Sequence, residues 1–308
     1  LQERYVSYLK ILIELSSKEI SRTSSLSEYT RLARMYHEKY VNDLYSFNEK
    51  YGRNLPGAFN NLQESGAVEL ITSTATHGYL PMLQPSPESI RAQIAVGILH
   101  HEKTFGNKPS GLWLPECGYT PVAEDALAEF NIQYVIIESH GVLYAKPRPV
   151  FGTFAPIVNV NGTVAFGRDA DSSRQVWNSD EGYPGDYDYR EFYRDIGYDL
   201  EHDYIAPFLH NGMRMPTGIK YYRITGKSCV KQPYDPEKAK HKTEIHADDF
   251  IYNSQKQIEF AARMMNTPPV LVCPFDAELF GHWWYEGPDW IYTLFKKIAK
   301  NQDVFRLI

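Results

Sequence analysis

The sequence predicts an α/β fold built on a mostly parallel sheet and closed as a (β/α) barrel, on three observations. Short apolar, β-branched runs alternate with helical patterns from about residue 68 onward. Nearly every such run gives way directly to a cluster of polar and aromatic residues, as the carboxyl ends of barrel strands do. No internal repeat, low-complexity tract or linker divides the 308 residues.

The first 65 or so residues read as helix. Val6, Leu9, Ile13 and Ile20 recur at helical spacing, and a more polar stretch follows from about Ser27 to Tyr51. Residues 68–72 form a strand leading into Ala75-Thr76-His77-Gly78-Tyr79-Leu80-Pro81. Ser86, as N-cap, and Pro87, in the first turn, open a helix carrying Ile90, Ile94 and Ile98. A strand at 111–115 ends in Glu116-Cys117-Gly118-Tyr119, and Thr120-Pro121 opens the next helix. The strand at 134–138 runs into Ser139-His140, and the one at 163–166 into Gly167-Arg168-Asp169. A long polar and aromatic loop spans 177–193. Residues 218–224 read as a strand, 227–245 as a mobile excursion rich in Lys, Pro and Asp, and 246–265 as a helix. The last strand is at 270–275. Pro288 then opens a helix with Trp290, Ile291, Leu294, Phe295 and Ile298 on one stripe. That makes about six strands, two short of an eight-stranded barrel and one short of a seven-stranded one.

The composition excludes several function classes. Apolar content of 43% with 23% charged residues is that of a soluble globular chain. The longest apolar runs are strand-sized, so no membrane span is expected, and no signal peptide opens the chain, which points to the cytoplasm. A net charge of −6 argues against nucleic acid as a partner, since a phosphate backbone calls for concentrated Lys and Arg. Cys117, Cys229 and Cys273 are scattered, with no CxxC, and read as reduced thiols. The unusual feature is 23 Tyr with 5 Trp: flat faces with a polar edge suit sugar rings, and equally a protein interface.

The chemistry gathers at the strand ends. Pro274-Phe275-Asp276-Ala277-Glu278-Leu279-Phe280-Gly281-His282-Trp283-Trp284-Tyr285-Glu286-Gly287-Pro288 packs carboxylates, a histidine and large aromatics into one turn, where a plain turn favours Gly, Asn, Asp and Ser. The bland alternative is that Trp283 and Trp284 cap the core while Asp276 caps a helix. Glu116, after Trp113-Leu114-Pro115, is a second strand-end carboxylate among aromatics. Two such groups suit glycosidic bond cleavage, one protonating the leaving oxygen while the other attacks or activates water.

Metal binding is the main rival, since His77, His140, His282 and Asp276 all fall at strand ends. No His-x-x-x-His, His-Glu-x-x-His or Asp-Asp pair occurs within these clusters, and no metal is expected. No G-x-S-x-G elbow, phosphate loop or dinucleotide fingerprint appears either. Arg168 and Arg174, near Asp169 and Asp171, most simply pair with them to hold the following loop. Trp177, Tyr183 and Tyr222 stand evenly between reaching a ligand and anchoring their loops.

Three stretches resemble motifs of glycoside hydrolase family 57: Ala75 to Pro81, Gly111 to Tyr119, and Phe275 to Trp284. The likeness is nearest its 1,4-α-glucan branching enzymes and α-amylase-like members and runs over nearly all of the chain. It implies an incomplete seven-stranded (β/α) barrel, one partial catalytic domain over 1–308, lacking the first strand and the C-terminal helical domain. It implies a retaining double displacement on an α-1,4-glucan, without metal or organic cofactor. By the motifs Glu116 is the nucleophile and Asp276 the general acid/base. His77 and His282 line the cleaved subsite, with Trp177 and Trp283 as sugar platforms; Arg168, Tyr183 and Tyr222 complete the substrate-binding set. Branching is the activity the resemblance implies first, with α-amylase or 4-α-glucanotransferase as alternatives. Two other classes stay open: a carbohydrate-binding barrel without turnover, and a metal-dependent polysaccharide deacetylase.

Overall fold

The computed structural model describes residues 1–178, 180–228, 230–301 and 303–308; Cys229 lies outside them. Its helices, in chain order, are α1 (Gln2–Arg22), α2 (Ser27–Tyr45), α3 (Leu55–Glu64), α4 (Pro87–Phe105), α5 (Glu124–Glu129), α6 (Ser139–Leu143), α7 (Ala170–Trp177), α8 (Ile196–Asp199), α9 (His202–Ile205), α10 (Pro236–Met264) and α11 (Gly287–Asn301). The strands are β1 (Thr72–Ser73), β2 (Gly111–Trp113), β3 (Tyr134–Ile137), β4 (Ile157–Val158) and β5 (Val164–Gly167). The chain forms two compact units. The first comprises Leu1–Asn54, Gln175–Ile251 and Asp276–Gln302; the second comprises Leu55–Arg174, Tyr252–Phe275 and Asp303–Ile308.

The second unit holds the sheet, ordered β1-β2-β3-β5-β4. β1, β2, β3 and β5 run parallel, in the register Thr72↔Leu112, Leu112↔Val135 and Val135↔Ala165. The fold is therefore α/β with a mainly parallel sheet. Alternation supplies the core: Leu112 and Leu114, Val135 and Ile137, and Ala165 are buried on it together with Ile90, Ile94 and Ile98 of α4. Gly97 lets α4 close on β1, because a Cβ there would lie 2.1 Å from the Ser73 carbonyl oxygen. Backbone cannot step aside as a side chain can, so Gly97→Ala is expected to destabilise by about 1–3 kcal/mol. An unchanged denaturation midpoint would contradict that close approach.

The first unit is helical and irregular. α1 packs on α2 through Val6, Leu9, Leu12 and Leu15, with Leu32, Ala33 and Tyr36 buried on α2. Ile13 and Ile20, expected on the buried stripe, are only half-buried because that stripe runs one position earlier, through Leu12 and Leu15 to Glu19.

Several expected elements differ. Residues 68–71 are unladdered, and only Thr72 and Ser73 pair. Residues 218–224 are not a strand of the sheet. They make isolated antiparallel bridges, Arg190↔Arg223 and Tyr222↔Pro233, within the first unit. The 270–275 run lacks strand structure, though Val270 N–H donates to the Phe154 carbonyl and Val272 accepts from Asp169 N–H at 2.7 Å. An unexpected edge strand, β4, joins β5 through the turn at 159–162. Ten residues of the supposed excursion, from Pro236, are the start of α10, where Asp235 accepts from Glu237 N–H and Pro236 stands at the first turn. On α11, Trp290, Leu294 and Ile298 are buried but Phe295 is exposed. No helix among the described residues is long and apolar enough to cross a membrane.

Candidate functional site

In the sheet unit, the parallel register sets the loops after β1, β2, β3 and β5 along one edge. Leu114 is extended, as a residue before proline should be, and Pro115–Cys117 makes one tight turn. That turn holds Glu116 at φ +54° and Cys117 at φ +53°, left-handed conformations that cost a non-glycine residue about 1 kcal/mol or more each. His77, after β1, has φ +55° as well. Gly118 is where the two loops touch: a Cβ there would fall 2.3 Å from the ring of Tyr79. With Tyr79 seated on Gly118, His77 Nε2 stands 3.6 Å from Glu116 Oε1. Both side chains are largely open to solvent, at 56% and 78%. Strained backbone holding an accessible carboxylate beside an imidazole is what a group presented to a ligand looks like.

One loop further, Arg168 does not pair with Asp169 as the sequence suggested. Asp169 is buried and caps α7, accepting from Ser172 N–H at 2.6 Å, which leaves its carboxylate committed. Arg168 turns instead to Glu138, with Nη1 to Oε2 at 3.2 Å and Nε to Ser173 Oγ at 3.3 Å. The reason is register: Ile137 faces Gly167 across β3 and β5, so the next residue on each strand meets its counterpart. Arg174 does pair with Asp171, at 3.8 Å and exposed. Cys273 is pushed up to about 11, chiefly by burial, and is a packing thiol.

In the first unit, Asp276 is exposed and heads the single turn Ala277–Leu279. Gly281, at φ +88°, then bends the chain so that its N–H donates to the Trp284 carbonyl at 2.8 Å, while Trp284 N–H donates to Leu279. This turn splits the adjacent tryptophans. Trp284, 1% exposed, sits among Tyr183, Tyr189, Phe280 and Trp290. Trp283 is 48% exposed and stacks on Phe192, centroids 4.3 Å apart at 21°. His282 meets Phe192 edge-on at 5.3 Å and Trp283 at 5.4 Å. The core-capping reading thus applies to Trp284 alone.

The other candidates divide. Tyr183 is buried, stacked on His246 at 4.5 Å, with its hydroxyl donating to Asp249 Oδ2 at 2.8 Å, and anchors its loop. Tyr222 is half-buried against Tyr29, with the Arg194 guanidinium 5.1 Å from its ring. Trp177 is half-buried at the end of α7. A cavity of about 750 Å³ in the first unit is lined by Ser27, Arg31, Tyr187, Asp188 and Arg223 among others, and by none of the candidates. Volume there does not coincide with the strand-end chemistry, and the chemistry is the better guide. Two residues of interest went unread in the sequence: Glu138, recognisable as a carboxylate directly after a strand, and Phe192, within the aromatic and charged run 189–195. Among the described residues no group of three or more His, Cys, Asp or Glu is arranged to hold a metal ion.

Comparison with known proteins agrees with these motifs. The model of glycosyl hydrolase family 57 matches residues 1–308. A 1,4-alpha-glucan branching enzyme of Thermococcus kodakarensis is 33% identical over 91% of this chain and 43% of its own length. A probable 1,4-alpha-glucan branching enzyme of Mycobacterium tuberculosis is 31% identical over 77% of this chain and 41% of its own. Among solved structures, the alpha-amylase AmyC from Thermotoga maritima superposes with a TM-score of 0.94 at 41% identity, covering 98% of this chain and 59% of that one. A GH57-type branching enzyme from Pyrococcus horikoshii gives 0.82 at 32%, covering 97% and 54%. The chain spans about half the length of these relatives. With the family matched along residues 1–308 and relatives above 30% identity covering most of the chain, this protein belongs to glycosyl hydrolase family 57.

Proposed function

We propose that the chain carries the reacting groups of a retaining α-1,4-glucan-active enzyme, with its strands forming part of a seven-stranded (β/α) barrel. The observation that carries the reading is the exposed Glu116 carboxylate, fixed at φ +54° and accompanied by His77 at 3.6 Å. In the first step Glu116 attacks the anomeric carbon of the donor glucan, and the bond from that carbon to the leaving O4 breaks. Asp276 gives its proton to that oxygen. In the second step the Asp276 carboxylate takes the proton of an incoming hydroxyl, whose oxygen displaces Glu116 and frees the carboxylate. His77 hydrogen-bonds a sugar hydroxyl or steadies the Glu116 carboxylate. Trp283 offers its open face to a glucose ring, and His282 an imidazole nitrogen beside it.

The acceptor decides the product. A glucan 6-hydroxyl as acceptor makes an α-1,6 branch, the activity we assign, in line with the relatives named as branching enzymes. Water as acceptor makes an α-amylase, and the 0.94 superposition on AmyC favours this second reading. Incubation with amylose separates them. Branching raises α-1,6 linkages, counted by proton NMR, with no matching rise in reducing ends; hydrolysis does the reverse. No change in either count, together with an unchanged chain-length distribution of malto-oligosaccharides, would remove the α-glucan assignment.

A further inference from the structure

Phe192 is where the exposed Trp283 and His282 meet the interior of their unit. Lys220, itself buried, reaches the same residue twice: its ammonium lies 4.4 Å from the centre of the Phe192 ring and donates to the Phe192 carbonyl. A buried ammonium ordinarily takes a carboxylate for itself. Those nearby are committed elsewhere. Asp195 accepts from the backbone N–H groups of Gly197, Thr217 and Gly218 and from the Thr217 hydroxyl, and Glu191 is paired with Lys231 at 2.7 Å. The remaining charge facing Lys220 is Arg190, of the same sign, held by Tyr36 and Gly218 and lying 3.7 Å over the Tyr285 ring. Among the described residues no ion pair forms at Lys220. Phe192 therefore supplies both its hydrogen bond and its cation–π partner.

We propose that Lys220 is a positioning residue: bound to both carbonyl and ring of Phe192, it fixes that ring as the backstop holding Trp283 and His282 in place for a sugar. The inference rests on Trp283 being a sugar platform; the grip of Lys220 on Phe192 does not. Burial, then the nearby Arg190, lowers the Lys220 pKa to about 8. A neutral amine can still donate to the carbonyl but no longer draws on the ring quadrupole. The grip therefore weakens as pH rises through about 8.

The test uses the full chain carrying Glu116→Gln, so that maltoheptaose is bound and not consumed. Affinity is expected to fall roughly three- to tenfold from pH 7 to pH 9, the range a partly buried cation–π contact spans. Lys220→Arg keeps the tight value at both pH values, and Lys220→Met keeps the weak one. An affinity flat between pH 7 and 9, or a step that persists in Lys220→Arg, overturns the proposal. A parallel readout needs no sugar: the Trp283 fluorescence, taken as the difference from Trp283→Phe, should show the same step and lose it in Lys220→Arg. If maltoheptaose binds at neither pH, the glucan reading fails, and this signal alone decides whether Lys220 holds Phe192. Should Lys220→Met not fold, the parent and Lys220→Arg profiles still decide it.

Discussion

Glu116→Gln is expected to lower turnover of α-1,4-glucan by at least roughly a thousandfold, because an amide cannot form the covalent glycosyl ester on which the second step depends. Binding of maltoheptaose should change by no more than a few-fold, as the side chain keeps its size and its place at φ +54°. Single-turnover kinetics on the two proteins, with affinity measured separately, distinguish lost chemistry from lost binding. Asp276→Asn should behave differently. Its loss should be large on maltoheptaose and much smaller on an aryl glycoside, whose leaving group departs without a proton. A Glu116→Gln protein within tenfold of the parent would remove Glu116 from the role of nucleophile, whatever its neighbours. Equal losses of kcat/KM, which reports the first step, for Asp276→Asn on both substrates would remove Asp276 from the role of acid.

The largest effect on stability is expected at Glu19, which is completely buried on α1. Arg22 grips it with two hydrogen bonds, Nε at 2.7 Å and Nη2 at 2.6 Å, and the hydroxyls of Tyr204 and Tyr221 donate to it at 2.7 and 2.8 Å. One carboxylate thus joins the first helix to residues 185 and 202 positions later in the same unit. Glu19→Ala leaves a guanidinium and two hydroxyls without their acceptor. A loss of about 2–4 kcal/mol follows, chiefly from the two hydroxyls left without an acceptor, because Arg22 is a third exposed and can turn to water. Glu19→Gln, which keeps an acceptor oxygen but no charge, should fall between. Urea denaturation at pH 7 reads both, and a loss under about 1 kcal/mol for the alanine variant would show the cluster to be ornamental.

The same cluster sets a pH dependence. Burial alone would raise the Glu19 pKa, but the Arg22 and tyrosine hydrogen bonds outweigh it and hold the carboxyl below its ordinary value of 4.5. A carboxyl depressed on folding stabilises fully above the unfolded value, and that stabilisation is lost as pH falls through the lower folded one. The acid limb of the stability curve should therefore be shallower in Glu19→Gln than in the parent.

How far the sequence could be read follows from which forces are local. The strands at 111–113, 134–137 and 164–167 and the helices over 2–22, 87–105 and 287–301 were all legible, because apolar periodicity, β-branching and proline placement act within a few residues. The three ordered motifs fixed the family by the same adjacency. Two strand readings failed where a β-rich run lacked a partner. Residues 218–224 begin at Gly218, φ +89°, and find only isolated bridges, while 270–275 gains single hydrogen bonds and no ladder. A strand is a relation between segments, and one segment cannot declare it.

Side-chain direction was decided at the same level. Nothing in Trp283-Trp284 says which ring faces out; Gly281 and the two hydrogen bonds around it do. Nothing near Arg168 predicts Glu138 in place of Asp169, because that pairing needs β3 beside β5. The residues proposed as reacting groups, Glu116 and Asp276, could thus be singled out from the chain itself, as carboxylates in aromatic-rich runs. Their orientation, their ion-pair partners and the Lys220 grip on Phe192 waited for tertiary structure, since each depends on groups that are distant in sequence meeting in the folded chain.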